Sequence, residues 1–258
     1  MMKCKFKILL IAAIVLSLAC TTKVSEWFLL NAAPDNYLLV YYHKDPIPES
    51  IEKNHVELEQ ENISANVIFK PILKASIDKP YYALYYKNRL FSTYHDFKSV
   101  EKLFVSPVRN KIAEELLAGK LCALVFLKSG NDAKDNEYLQ VVNNTIAASP
   151  FSEIVKVIEI DRESGQEQDF ISMLLNVEHD LKDINEPMLF GVFGRFRVLE
   201  PLLAKGISKE NINLLLGFLT ADCSCLIKDN LPGINILCRN QWLDPKQALV
   251  NNILDTPQ

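Results

Sequence analysis

Two consecutive stretches of this chain run through the same order of elements, and a repeated order restricts the fold more than any single residue can. In the first, Tyr37–Tyr42 is a β-branched and aromatic run of strand length, and Ile47–Asn62 carries Ile51, Val56 and Leu58 at helical spacing. Asn66–Leu73 reads as a second strand, which Pro71 limits to an edge or a bulge. Pro80 then precedes the strand Tyr81–Tyr86, Lys87-Asn88 turns the chain, Leu90–Tyr94 returns, and Phe97–Phe104 and Val108–Ala118 are helical up to Gly119. The second stretch repeats this. Leu121–Leu127 is a buried-type strand, Asp132 caps a helix through Ala148, and Glu153–Ile160 alternates as a strand. After a helix over Gln168–Val177, Pro187 precedes Met188–Phe193, Gly194-Arg195 turns, Phe196–Leu199 returns, and Ser208 caps a helix to Thr220. A βαβ unit followed by ββα, taken twice, predicts mixed sheets flanked by helices in the α/β class.

Before the repeat lies a segment of another kind. Lys3, Lys5 and Lys7 lead into the apolar run Ile8–Leu18, and small residues close it at Ala19, directly before Cys20. That is the layout of a secretory signal over residues 1–19, and the run is shorter than the ~20 residues a membrane span needs. Leu16-Ser17-Leu18-Ala19-Cys20 resembles the lipobox of bacterial lipoproteins, although Ser17 stands where the branched apolar residue is usual. Ser17-Leu18-Ala19 also fits ordinary signal cleavage. The expectation is an exported chain with lipid on Cys20, anchored at a membrane of the bacterial cell envelope on the periplasmic side or the surface. Removing residues 1–19 leaves 25 basic against 32 acidic residues, a net charge of −7. Such a balance keeps a domain soluble and offers nucleic acid no basic footprint. With 49% hydrophobic and 23% charged residues, the remainder is globular in composition and long enough for one large domain or two small ones.

The element order, with a proline just before the third strand, resembles the thioredoxin fold. In that family the proline is cis and sits beside the active site, which makes Pro80 and Pro187 the cis-proline candidates. The resemblance implies two tandem thioredoxin-like domains, residues 37–119 and 120–258, after a tether and short helix at 20–36 that includes Ser25–Ala32. Thioredoxins carry Cys-x-x-Cys at the start of the first helix, where the helix dipole lowers the thiol pKa. Here those positions read His43-Lys44-Asp45-Pro46-Ile47-Pro48 and Lys128-Ser129-Gly130-Asn131-Asp132, without cysteine. What carries over is shape, not dithiol chemistry. A narrower set resembles an uncharacterised family of exported bacterial proteins. It comprises Phe193-Gly194-Arg195-Phe196-Arg197, Lys205-Gly206-Ile207, Asn211-Ile212, Phe218-Leu219, Cys223-Ser224-Cys225, Lys228, Pro232-Gly233 and Trp242.

Among the remaining cysteines, Cys122 lies inside an apolar strand and reads as a small core residue. Cys223 and Cys225 follow a helix end, and three explanations stand open for them. One is a structural disulfide from either residue to Cys238, worth ~2–3 kcal/mol for a loop of that size. Another is a direct, strained and easily reduced Cys223–Cys225 bond; the last is thiolate binding of a soft metal such as Cu(I). Zinc has weaker support, since His179 is the one histidine of the second unit, and no resident metal or cofactor is expected.

Arg195 and Arg197 fall on one face of a hairpin at period two and are candidate partner contacts, without the spacing of a phosphate loop. Tyr41, Tyr42, Tyr81, Tyr82, Tyr85, Tyr86 and Tyr94 are ordinary strand composition or, where they point outward, an aromatic face for protein or glycan. His43, His55 and His95 read as surface or cap residues, and hydrolase motifs do not occur. The functional expectation is a redox-silent binding or scaffolding module with a protein partner in the envelope. The alternative is a disulfide exchanger or Cu(I) carrier built on Cys223 and Cys225.

Overall fold

A computed structural model describes residues 22–222, 232–240 and 242. The signal segment 1–19, Cys20, Cys223 and Cys225 lie outside the described residues. The described elements run α1 (Val24–Asn31), β1 (Tyr37–His43), α2 (Glu49–Glu61), β2 (Val67–Leu73), β3 (Tyr81–Tyr86), β4 (Arg89–Tyr94), α3 (Phe97–Leu103) and α4 (Pro107–Leu117). There follow β5 (Cys122–Leu127), α5 (Asp132–Ala147), β6 (Val155–Ile160), α6 (Gln168–Leu174), β7 (Met188–Phe193), β8 (Arg197–Val198), β9 (Leu202–Leu203), α7 (Lys209–Thr220) and β10 (Ile234–Asn235).

The strands form two separate sheets. The first has the order β2-β1-β3-β4, with β1 and β2 parallel and the other pairs antiparallel. The second has the order β10-β8-β7-β5-β6, with β5 and β6 parallel and β9 added to β7. Local chemistry sets the boundaries. Asp96, Ser106, Asn131 and Ser208 each accept an N–H of the following first turn, which caps α3, α4, α5 and α7. The cap of α5 is therefore Asn131, and Asp132 is its first residue. Lys87 and Asn88 both take left-handed φ, +46° and +64°, the pair of angles a two-residue type I′ hairpin requires.

Every residue of β5 and β7 is buried, because helices cover the second sheet on both faces. Cys122, Leu124 and Phe126 meet Val142 and Ile146 of α5, Leu216 and Leu219 of α7, and Val24 and Phe28 of α1. The opposite face, with Ala123, Val125 and Leu127, meets Ile112 and Leu116 of α4 and Phe170 and Met173 of α6. That core continues without a break into the first sheet through Leu103, Tyr37, Leu39 and Leu84. Two segments pack away from the unit their position in the chain suggests. Helix α4 comes before β5 and lies on β5 and β6, and α1 rests on α7 and β7, where the Val24 N–H donates to the Ala221 carbonyl.

Residues 232–240 join the two units. The Tyr37 hydroxyl donates to the Asn235 carbonyl (3.2 Å), the Asn66 carboxamide bridges the Ile236 carbonyl and the Cys238 N–H, and Ala65 pairs with Arg239. Buried Arg109 donates to the carbonyls of Leu237 (2.6 Å) and Leu103 (2.5 Å), tying this segment to α3 and α4. Nearby, Glu167 accepts from the Ser106 hydroxyl and from the Val108 N–H (3.0 Å), which fixes the start of α4 against α6.

The hairpin after β7 differs from expectation. Gly194 and Phe196 are both left-handed (φ +56° and +60°), and only Arg197-Val198 returns as strand. Gly194 is needed for space as well as angle, because a Cβ there would lie 2.6 Å from the Phe28 Cβ.

Candidate functional site

In the second unit the loop between β5 and α5 stands where a thioredoxin-like domain would carry its dithiol. Asp135, itself buried, reaches back into that loop from the first turn of α5. Its Oδ1 accepts from the Ser129 N–H and hydroxyl, both at 2.8 Å, and its Oδ2 accepts from the Gly130 N–H at 3.1 Å. The Ser129 oxygen accepts in turn from the Asn131 N–H (3.2 Å). The loop is thus closed by its own carboxylate. The base beside Ser129 is Asp135 itself, a carboxylate already held by two main-chain N–H groups, and the cluster fixes backbone geometry.

In the first unit the corresponding loop is His43–Pro48, where His43 Nδ1 lies 2.9 Å from the Asp45 carbonyl. Below it is His55 of α2, which is buried and not the surface or cap residue expected. Its Nε2 is 2.9 Å from the Tyr82 hydroxyl, and its ring packs against Tyr41 and Phe69 at centroid distances of 4.8 and 4.6 Å. Burial, with His43 adding repulsion, lowers the His55 pKa to about 4, so the ring is neutral at pH 7. Its place three residues before the buried Leu58 on one helix face was the signal for burial. Pro80 and Pro187 do stand directly before β3 and β7, but no peptide bond among the described residues is cis. The trans form of an X–Pro bond is favoured by ~0.5–1 kcal/mol, and the approach to Pro187 is pinned by Arg162, which donates to the Ile184 and Glu186 carbonyls.

The structure also places Cys238, Cys122 and the two arginine candidates. Cys238 is a free, buried thiol, while Cys223 and Cys225 lie outside the described residues. Burial pushes its pKa up to about 12 against the opposing pull of Arg109. Cys122 is likewise free and buried. Arg195 donates to the Leu29 and Leu30 carbonyls at the end of α1, at 2.8 and 3.3 Å. Arg197, 4% exposed, donates to the carbonyls of Pro232 (2.6 Å) and Gly233 (3.0 Å) and to Asn235 Oδ1 (2.8 Å). These two arginines hold α1 and residues 232–235 in place as internal clamps. Among the described residues, no three His, Cys, Asp or Glu side chains converge as a metal site would require. No described helix is long and apolar enough to cross a membrane.

The surface feature that remains is the first sheet's second face. In the second unit the connection from β6 to β7 carries α6, which covers one face of that sheet. The matching connection in the first unit, Lys74–Pro80, holds no helix. Leu38, Val40 and Tyr42 of β1, Ile68, Lys70 and Ile72 of β2, and Tyr81, Ala83 and Tyr85 of β3 therefore share a face that neither core includes. Tyr42 and Tyr85 arch across it, with hydroxyls 3.1 Å apart, and beneath them Val40 and Ala83 are only 1% and 0% exposed. Lys74 Nζ stands 4.9 Å from the Tyr42 ring centroid.

Two sheets, each built on a parallel pair with an antiparallel neighbour and flanked by helices, define a mixed α/β protein. No protein-family model and no curated protein matches the chain. Among solved structures it is similar to the first two thioredoxin domains of Naumovozyma dairenensis Eps1p, at 13% identity over 64% of this chain and 82% of that one, with a TM-score of 0.22.

Proposed function

We propose that this chain is a redox-silent binding module of the cell envelope, held at a membrane through lipid on Cys20, and that it captures a partner protein's extended segment on the free edge of β2. The edge itself carries the reading. The Tyr37 N–H donates to the Asn66 carbonyl and the Lys74 N–H to the His43 carbonyl, so the even-numbered residues from 66 to 74 face β1. By the same alternation Val67, Phe69, Pro71 and Leu73 turn their main-chain groups to the open side, and Pro71 has no N–H to leave unpaired there. Beside this edge lies an apolar cleft of about 410 Å³ lined by Leu58, Ile63, Val67, Phe69 and Phe104. At its rim the buried Oδ1 of Asn62 has no hydrogen-bond partner among the described residues. An added strand would satisfy the edge with main-chain bonds and place alternate side chains in the cleft.

A photo-cross-linking residue at Leu73 in intact cells tests this, with one at Leu214, an exposed α7 position, as control. Discrete adducts at Leu73 alone, lost on placing Val67→Pro beside it, are expected. Equal labelling at both positions would overturn the reading. Cys20→Ser should move the protein to the soluble fraction, and an unmodified Cys20 in the wild type would remove the membrane part. Loss of adducts in a folded Cys223→Ser, Cys225→Ser variant would favour the thiol-dependent alternative.

A further inference from the structure

We infer that the open face of the first sheet holds a second binding site, a groove for a neutral oligosaccharide beneath the Lys87-Asn88 turn. The groove encloses about 500 Å³, a volume suited to a small ligand. Its floor is aliphatic: Leu38, Val40 and Ile72. Its wall is aromatic, formed by Tyr42 and Tyr85, whose hydroxyls meet at 3.1 Å and so hold both rings in one orientation. Its rim is polar. Asp35 Oδ2 accepts from the Tyr86 hydroxyl (2.9 Å) and pairs with Lys87 (3.3 Å), while Oδ1 takes no bond from the described residues. The carboxamides of Asn36 and Asn88, also on the rim, make no hydrogen bond within the described residues.

The ligand class follows from what this surface offers and lacks. The sheet ladder occupies the main-chain groups beneath the face, so a peptide finds no backbone partners here, in contrast to the edge of β2. The cation and anion of the lining are paired with each other, so the lining itself is close to neutral, and the further cations of this face, Lys70 and Lys74, stand outside it. What it presents is two carboxamides, a carboxylate oxygen and two phenol hydroxyls around an apolar floor and a fixed aromatic wall. A pyranose has that complement, with hydroxyls around its perimeter and apolar C–H faces above and below. The carboxamide and carboxylate groups match donors and acceptors on adjacent hydroxyls, while the rings and aliphatic floor take the C–H face.

Calorimetric titration of the full chain with neutral tetrasaccharides of the cello-, malto-, manno- and chito-series is the test, with polygalacturonate fragments and phosphatidylglycerol vesicles alongside. Saturable binding of at least one neutral series is expected. Asn36→Ala with Asn88→Gly removes both amides while keeping a residue suited to the left-handed turn, and should weaken that binding about tenfold or more. Val67→Pro, on the edge of β2, should leave it unchanged, so this site and the strand-addition site fail separately. Absence of binding in every neutral series overturns the inference. So does sugar binding indifferent to the double variant at unchanged thermal stability, or binding of vesicles or the acidic fragment in place of neutral sugar.

Discussion

Asp135 holds Ser129 twice, taking its main-chain N–H and its hydroxyl on a single carboxylate oxygen. The loop between β5 and α5 is thereby folded onto a buried carboxylate. Asp135→Ala would orphan these two donors and the Gly130 N–H, at ~1–3 kcal/mol for each one left buried without water. A loss of about 2–4 kcal/mol in urea unfolding at unchanged m-value is expected. Asp135→Asn should cost less, since an amide oxygen can still accept.

His55 makes stability depend on pH. Its folded pKa, about 4, lies below the ordinary 6.5, so between those values the unfolded chain binds a proton that the folded chain does not. Its stabilising contribution is complete above pH 6.5 and is lost as pH falls towards 4, with a slope approaching ~1.4 kcal/mol per pH unit. Unfolding curves across this window should show that slope, and His55→Gln should flatten it while lowering stability throughout.

The hydroxyl contact across the open face can be read spectroscopically. The hydrogen bond with Tyr42, followed by burial, pushes the Tyr85 pKa up to about 12. In an alkaline ultraviolet titration, Tyr42→Phe should bring the Tyr85 transition down towards the ordinary tyrosine value. The same change should cost about 1 kcal/mol, the net worth of one such bond.

Both described thiols should be silent in the folded protein. Burial pushes Cys122 and Cys238 each up to about 12, leaving little thiolate at pH 8 and no access for a reagent. Mass-mapped alkylation should modify neither until denaturant is added. Labelling of Cys238 under native conditions would mean that the 232–240 segment opens locally.

The sequence carried much of this architecture and lost the rest at identifiable places. The repeated order, the prolines before β3 and β7, and the Lys87-Asn88 turn were legible, because each depends on short-range backbone chemistry. The partner of α4 was not legible: amphipathic spacing reveals an apolar face but not which sheet will cover it, and α4 lies on the second. Arg195 and Arg197 were placed outward by a period-two argument that fails once Phe196 turns left-handed and interrupts the strand. The open face could have been read from the connection 74–80, which is too short for a helix with its two linkers, where 161–187 has room for α6. Its tyrosines were visible as composition, but the pairing of Tyr42 with Tyr85 depends on cross-strand register. The grip of residues 232–240 on both units, through Asn66, Arg109 and Arg197, joins positions more than a hundred residues apart in two of the three cases and leaves no local pattern.

The packing of α1 on the second sheet has a mechanical consequence. The Val24 N–H is bonded to the Ala221 carbonyl and Lys23 is paired with Asp222, so the start of the described chain is fastened to the end of α7. Tension applied through the N-terminus would enter by this clasp and load α1, α7 and β7 in series. The first sheet would feel it through residues 32–36, the shared core and the 232–240 segment. In a chain pulled from that end, the clasp and the second unit's helices stand ahead of the tyrosine face and the β2 edge in the order of loading.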